Sequence, residues 1–294
     1  MSTNKLNEWT EKTLNLATNG NYLDRLLEIY PAELPPRRSL PDDIKEKIIN
    51  YYQKGEYEDL VILLIDLNDN YPFPIEHPYA ALLRHLDERE RRIIIRRNPK
   101  VIKTLANLLV SLGLNDIIKG MERPEDINRT LGAAFKDWVE KKFAQAPFKI
   151  LDDYRQFKEC ANKEICIYAG PDKKIAEFIE TQLKLEGPRK GFFNRDIVVK
   201  VKNLYIIGEA RFLSTPGGSQ NRDLDNTLEF VETMENIASS STDVKVKGIA
   251  LLDGIVWFYS PYVERIKQRA KGERVVMSAL LLEEYLLDLF KKLP

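Results

Sequence analysis

Cysteine and histidine are nearly absent from this 294-residue chain, which has two of each: Cys160, Cys166, His77 and His85. So few histidines argue against a His-rich metal centre or a histidine-driven triad. Two cysteines cannot frame a disulfide scaffold, and their spacing matches no usual zinc pattern. The expectation is a pair of buried free thiols in a reducing cytosol. Net charge is also missing, since 45 Lys and Arg balance 45 Asp and Glu. That balance excludes a polybasic protein that grips nucleic acid by bulk charge, so any anion site must come from local segregation. Long apolar runs are lacking too. Val61 to Leu64 and Ile65 form one of the longest, far short of a membrane span. Met1 to Gly20 is polar and holds no signal-type apolar core. No repeat or low-complexity tract interrupts the chain. A soluble, cytoplasmic protein with no membrane partner is expected.

What is present is ordinary core material: 44% hydrophobic and 10% aromatic residues, enough for one large domain or two modest ones. The first 145 residues read as helical. Leu40-Pro41-Asp42-Asp43 opens a helix with Ile44, Ile48, Ile49 and Tyr52 at helical spacing, and Glu58 to Asn68 reads as another. A helix from Pro78 through Leu86 extends towards Arg97, Val101 to Leu112 ends at Gly113, and Pro124-Glu125-Asp126 starts one that continues to about Phe143. Strand signals then begin. Glu164 to Ala169, Asp196 to Lys202 and Leu204 to Phe212 read as strands, the last two joined tightly at Asn203. Helices are expected over Asp172 to Leu185, Leu224 to Ile237 and Ala279 to Lys292. Val244 to Leu252 and Ile255 to Tyr259 read as a hairpin through Asp253-Gly254, and Val275 to Met277 as a short strand. The expected fold is an α/β core, residues 126–294, with a mixed central sheet flanked by helices. A helical N-terminal extension, residues 1–125, precedes it.

The chemistry concentrates in Asn194-Arg195-Asp196, twelve residues, then Glu209-Ala210-Arg211. Residues two apart on a strand share a face, so Glu209 and Arg211 project together, and a hairpin brings Asp196 opposite Glu209. Two carboxylates beside one cation suit a Mg²⁺-dependent phosphodiesterase: the acids supply oxygen ligands and the cation faces charge developing on phosphate. The spacing alone also fits a salt-bridged sheet edge.

The wider order of motifs resembles the PD-(D/E)xK nuclease superfamily, and within it a group of Type II restriction endonucleases. It runs through Arg129-x-x-Gly132-x-x-Phe135-x-x-Trp138, Ala169-Gly170-Pro171-Asp172-Lys173-Lys174, Ile206-Ile207-Gly208-Glu209-Ala210-Arg211-Phe212-Leu213, the Gly217-Gly218 loop, and Val276-Met277-Ser278-Ala279-Leu280-Leu281. The likeness covers roughly Arg129 to the C-terminus. It implies an enzyme that hydrolyses double-stranded DNA at a short specific sequence, with Asp196, Glu209 and Arg211 catalytic. Asp196, Glu209 and the Ala210 carbonyl would hold Mg²⁺. It also implies a homodimer matching a palindromic target, and a cognate DNA methyltransferase in the same cell. Two departures stand out. The first acid follows Asn194-Arg195, and the motif lysine is Arg211, which keeps its charge and cannot act as a general base. Lys200 and Lys202 lie too far along the strand to substitute. Glu177, Glu180, Asp137 and Glu140 are candidates for an additional acid.

Two groups could hold DNA. Gly217 and Gly218 permit close backbone approach, and Ser219, Gln220, Asn221 and Arg222 present donors ahead of a helix that Asp223 could cap. Arg84 to Lys103 carries eight Lys or Arg against three Asp or Glu, with Arg92, Arg96 and Arg97 as phosphate contacts on a DNA-grasping arm. The same stretch also reads as a solvated helix with internal pairs such as Glu88-Arg92. Phe135 and Trp138 are read as core, and Gly132 as a point of close packing. A structure-specific repair or junction nuclease, or a catalytically decayed DNA-binding protein, are the alternative functions.

Overall fold

The computed structural model describes all residues except 1–4, 32–38, 68–69, 85, 124–126, 169–170 and 241–243; the side chains of residues 84, 127–129 and 172 are also outside the description. His85, Ala169-Gly170, Pro124-Glu125-Asp126 and the Arg129 and Asp172 side chains therefore lie outside it. The chain divides into two compact units, residues 1–32 with 128–294, and residues 33–127. The first 32 residues thus belong with the sheet-bearing unit and not with the helical region in which sequence patterning placed them.

Helix α1 (Glu8–Asn19) is capped by the Asn7 side chain, which accepts from the Trp9 N–H, and α2 (Tyr22–Leu26) follows. The buried face of α1 is Trp9, Thr10, Thr13 and Ala17. Half of it is threonine, so no apolar stripe advertises the packing. The hydroxyls are satisfied inside: Thr10 donates to the Val276 carbonyl at 2.7 Å, and Thr13 accepts from the Ser278 N–H at 3.1 Å.

The 33–127 unit is built from α3 (Asp42–Lys54), α4 (Tyr57–Asp66), α5 (Pro78–Arg84), α6 (Glu88–Arg97), α7 (Pro99–Leu112) and α8 (Leu114–Met121). The helix expected to run on from Pro78 is two helices, because the Asp87 side chain accepts from the Glu90 N–H and starts α6 afresh. Gly55 ends α3 in the left-handed region, and Pro99 opens α7. Leu60, Leu64, Leu105 and Leu109 are fully buried at its centre.

In the other unit come α9 (Ile127–Lys142), β1 (Phe148–Leu151), α10 (Tyr154–Lys158), β2 (Ile165–Tyr168) and α11 (Asp172–Glu177), which runs into a π-helical turn at Phe178–Gln182. Then follow β3 (Ile197–Val201), β4 (Leu204–Leu213), α12 (Gly218–Ser240), β5 (Lys245–Gly254), α13 (Ser260–Arg269), β6 (Val275–Met277) and α14 (Leu282–Lys292). Among the described residues the six strands form one sheet in sequence order, and β3 alone runs against the rest. Helix α12 packs on β5, α1 on β6 and α14 on β3. The molecule is thus mixed α/β, with a sheet flanked by helices.

Three local expectations are corrected. Asp253-Gly254 is not a hairpin turn: β5 runs straight through to Gly254, and Ile255–Trp257 is a short 3-10 turn. Asp253 is fully buried and Gly254 pairs with Leu213 across the parallel β4–β5 ladder. Cys160 and Cys166 are not free thiols; they are joined as a disulfide with Cα atoms 6.3 Å apart, as the turn after α10 returns the chain into β2. Gly132 does not mark close packing, since a Cβ there would meet nothing within 4 Å. Phe135 and Trp138 are buried, as core residues. No single helix among the described residues is long and apolar enough to cross a membrane.

Candidate active site

The β3–β4 hairpin closes with Val201 opposite Leu204, which sets Ile197 opposite Gly208. That register brings Asp196, just ahead of β3, level with the middle of β4. Its backbone N–H donates to the Gly208 carbonyl at 3.1 Å, and its side-chain Oδ2 accepts from the Ala210 N–H at 2.9 Å. Glu209 and Arg211 share a face of β4 and touch, Arg211 Nη2 lying 2.9 Å from Glu209 Oε1. The same guanidinium reaches Asp196 Oδ2 at 4.0 Å and donates to the Ala210 carbonyl at 3.4 Å. Side-chain oxygens from both acids and one main-chain carbonyl therefore converge on a single cationic group.

Glu209 is otherwise deep in the protein, 3% exposed. Its second oxygen, Oε2, accepts from Arg195 Nη1 at 2.5 Å. Arg195 is also buried, and its guanidinium lies over Phe230 at 4.1 Å and Phe192 at 5.2 Å. Its Nε finds no partner among the described residues. Burial raises the Glu209 carboxyl above the ordinary glutamate range, against the pull of Arg195 and Arg211. Burial likewise lowers Arg195, with Glu209 opposing it. Arg211 ends above its ordinary value: burial pulls it down, but Glu209 and Asp196 outweigh that.

A cleft of about 190 Å³ opens in front of these groups, walled by Tyr30, Gly132, Asp196, Arg211, Gln220 and Asp223. Asp196 also borders a second cleft of about 280 Å³, into which α9 brings Lys136 and Glu140. Of the acids considered as additional members, Glu140 alone lines a cleft with Asp196. Glu177 lines a separate cavity with Asp152 and Asp153, while Glu180 and Asp137 are exposed. Lys200 and Lys202 are engaged elsewhere, donating to the Lys158 and Cys160 carbonyls and to the Leu293 carbonyl respectively.

The Gly-Gly segment differs from its expected form. Helix α12 starts at Gly218, so Ser219, Gln220, Asn221 and Arg222 form its first turn and Asp223 lies inside it, not at its cap. Gln220 folds back, accepting from the Thr215 N–H at 3.0 Å and donating to Ser214 at 3.2 Å. Gly217 donates to the Tyr262 hydroxyl at 2.9 Å, and Asn221 accepts from Arg265 at 3.4 Å. In the other unit, Arg92, Arg96 and Arg97 are exposed on α6, with Arg92 paired to Glu88 at 2.5 Å. Arg91 of the same cluster is buried and bound to Asp66 and the Leu86 carbonyl, so it is structural.

The family described as Tsp45I type II restriction enzyme matches residues 7–289, most of the chain. The chain belongs to the Tsp45I type II restriction enzyme family. It is a site-specific deoxyribonuclease acting on DNA, and the repair-nuclease and decayed-binder alternatives are not favoured. No curated protein and no solved structure matches it. The Tsp45I match begins at residue 7, so it takes in α1 and α2 as well as the region from Arg129 onward that the motifs covered.

Three features of this restriction enzyme carry no motif. In the sequence Arg195 is simply the neighbour of Asp196. Asn194-Arg195-Asp196 is a short polar stretch between Phe192-Phe193 and Ile197-Val198-Val199, and a cation buried beside such apolar flanks needs an acid partner. Tyr30 lay in the unassigned N-terminal stretch. Asp253, flanked by Leu251-Leu252 and Ile255-Val256, carried the same buried-charge signal but was absorbed into a turn motif.

Proposed function

We propose that this type II restriction enzyme uses a PD-(D/E)xK core in which Asp196, Glu209 and the Ala210 carbonyl hold a divalent metal ion, Mg²⁺, beside Arg211. The observation that carries the reading is the convergence of these three oxygens on one guanidinium, at 4.0, 2.9 and 3.4 Å. An all-oxygen set with two carboxylates fits a hard cation. When bound, such an ion supplies Lewis acidity and an activated water. The remaining work falls to the chain. Asp196 is held in orientation by the Ala210 N–H, and Glu209 is anchored from behind by Arg195. Arg211, always charged, faces the cleft and stabilises negative charge developing on the scissile phosphate; it does not take a proton. Glu140 is the acid positioned to join Asp196 from α9.

DNA contact is assigned to the α12 first turn and its approach, Gly217, Gly218, Ser219, Asn221 and Arg222, with Gln220 shaping the loop. Arg92, Arg96 and Arg97 supply phosphate contacts from the 33–127 unit, which acts as a DNA-grasping arm. The enzyme works as a homodimer, one site per strand of a two-fold target, and is paired with a methyltransferase that protects the host sequence. The test is cleavage of phage DNA in Mg²⁺ by Asp196→Asn and Glu209→Gln. Each is expected to lose at least about a hundredfold in rate, the loss of several kcal/mol of charge stabilisation, while circular dichroism stays unchanged. Full activity in Asp196→Asn would remove Asp196 from the site.

A further inference from the structure

Glu209 is held by two arginines that differ in every physical respect. Arg195 takes Oε2 from inside the protein, 9% exposed at the side chain and stacked on Phe230. Arg211 takes Oε1 from the cleft side and is 41% exposed. The Arg211 guanidinium also lies against Asp196 Oδ2 and the Ala210 carbonyl, so it stands among the oxygens to which the reading above gives a divalent ion. A guanidinium that already spans Glu209 Oε1, Asp196 Oδ2 and the Ala210 carbonyl stands where an ion shared by these oxygens would sit, and the two cations repel at that range. One must yield, and of the two arginines only Arg211 has somewhere to go: the cleft in front of it, which Asp223 also lines. Arg195 is walled by two phenylalanine rings and has no such exit.

We infer that Arg195 is the permanent partner of Glu209 and Arg211 the exchangeable one, so that Arg211 competes with the divalent ion for Glu209 Oε1 and swings into the cleft when the ion binds. The inference rests on the proposed metal site and adds a division of labour to it. Arg195 is a positioning residue: it fixes the carboxylate so that Oε1 faces the cleft. Arg211 closes on the acids or turns towards the phosphate, depending on which cation holds the site. A lysine at position 211 would offer one ammonium in place of a fork, and would bridge Glu209, Ala210 and Asp196 less completely.

Simple Coulomb reasoning makes a different forecast, since deleting either positive charge should tighten cation binding alike. The two variants therefore separate the ideas. Mn²⁺ binding is titrated by electron paramagnetic resonance and calorimetry on the full chain, without DNA, for wild type, Arg211→Gln, Arg195→Gln, Arg195→Lys and Asp196→Ala. The expected result is a Kd for Arg211→Gln about tenfold tighter than wild type, the scale of one partly desolvated ion pair. Arg195→Gln binds at least about tenfold more weakly, because Glu209 loses its anchor. Arg195→Lys, which keeps a charge and a donor and guards against a folding failure, recovers most of that loss. Equal tightening in Arg211→Gln and Arg195→Gln would overturn the inference while leaving the metal site in place. Wild-type binding that is absent, or that survives Asp196→Ala unchanged, would instead sink the metal reading and this inference with it.

Discussion

Asp253 shows how much one buried side chain can organise. It sits at the end of β5 beside Phe212 and accepts from Ser278 at 2.5 Å, Tyr22 at 2.9 Å, and Tyr30 and the Ala279 N–H at 3.3 Å. Tyr30 also lines the cleft in front of Asp196 and Arg211, so this carboxyl ties the N-terminal segment to the sheet beside the candidate site. Burial lifts its pKa to about 6 even though all four donors pull the other way. The folded value is above the unfolded one, so stability from this group is full below pH ~4 and is lost as pH rises through about 6. A shift of that size corresponds to roughly 3 kcal/mol. Unfolding of wild type and Asp253→Asn across pH 4 to 7 should give stability curves whose difference slopes over this window and is flat above it; parallel curves would remove the linkage. Asp253→Ala should cost about 3 kcal/mol or more, since it leaves several donors unpaired. The approach of Asp196 to the Glu209 end of β4 is legible from spacing because it is local to one hairpin. Asp253 and Tyr30 are not, because their partners are distant in sequence, 231 positions away for Tyr22 and Asp253; Arg195 pairs with Glu209 only 14 positions on, but spacing does not carry its burial against Phe192 and Phe230.

At the level of elements, the β3–β4 hairpin is readable because two β-branched and apolar runs are joined by a two-residue turn, which leaves little freedom of register. The β5 error has a physical cause: Asp-Gly signals a turn only where the chain can leave the sheet, and here β4 runs parallel alongside to Leu213. Gly254 is needed for a different reason. It has φ +91°, and a Cβ would fall 2.2 Å from the Leu213 carbonyl oxygen. Gly217 also has positive φ, at +105°, but a Cβ there meets nothing within 4 Å. Gly217→Ala should therefore cost only the backbone strain, about 1 kcal/mol, and Gly254→Ala well over 2 kcal/mol. Thermal melts would check the ranking, and an equal loss would contradict it. Helix α12 starts six residues ahead of its apolar period, which begins at Leu224, because Gly218 to Asp223 is glycine-led and polar. Helix α1 carries no apolar period because threonines occupy half of its buried face.

Across the whole molecule, zero net charge leaves DNA affinity to segregated patches, and the exposed Arg92, Arg96 and Arg97 are the clearest of these. Replacing all three with Gln in an Asp196→Ala background, where cleavage is silenced, should weaken duplex binding and flatten its salt dependence. The slope of log K against log salt should fall by about 3 if each arginine neutralises one phosphate. An unchanged slope in fluorescence anisotropy would show that the 33–127 unit does not grip the backbone. The broad division into helical and sheet-bearing regions was visible in composition, but not the return of residues 1–32 to the sheet unit, which depends on contacts between the chain's two ends. The most direct test of the account is a digest of unmethylated phage DNA with the purified protein in millimolar Mg²⁺, beside Asp196→Ala and an EDTA control. Discrete bands that vanish in both controls are predicted. A banding pattern that persists in Asp196→Ala or in EDTA would contradict an Asp196-centred metal site, and intact DNA under every condition would contradict a competent enzyme with arginine at position 211.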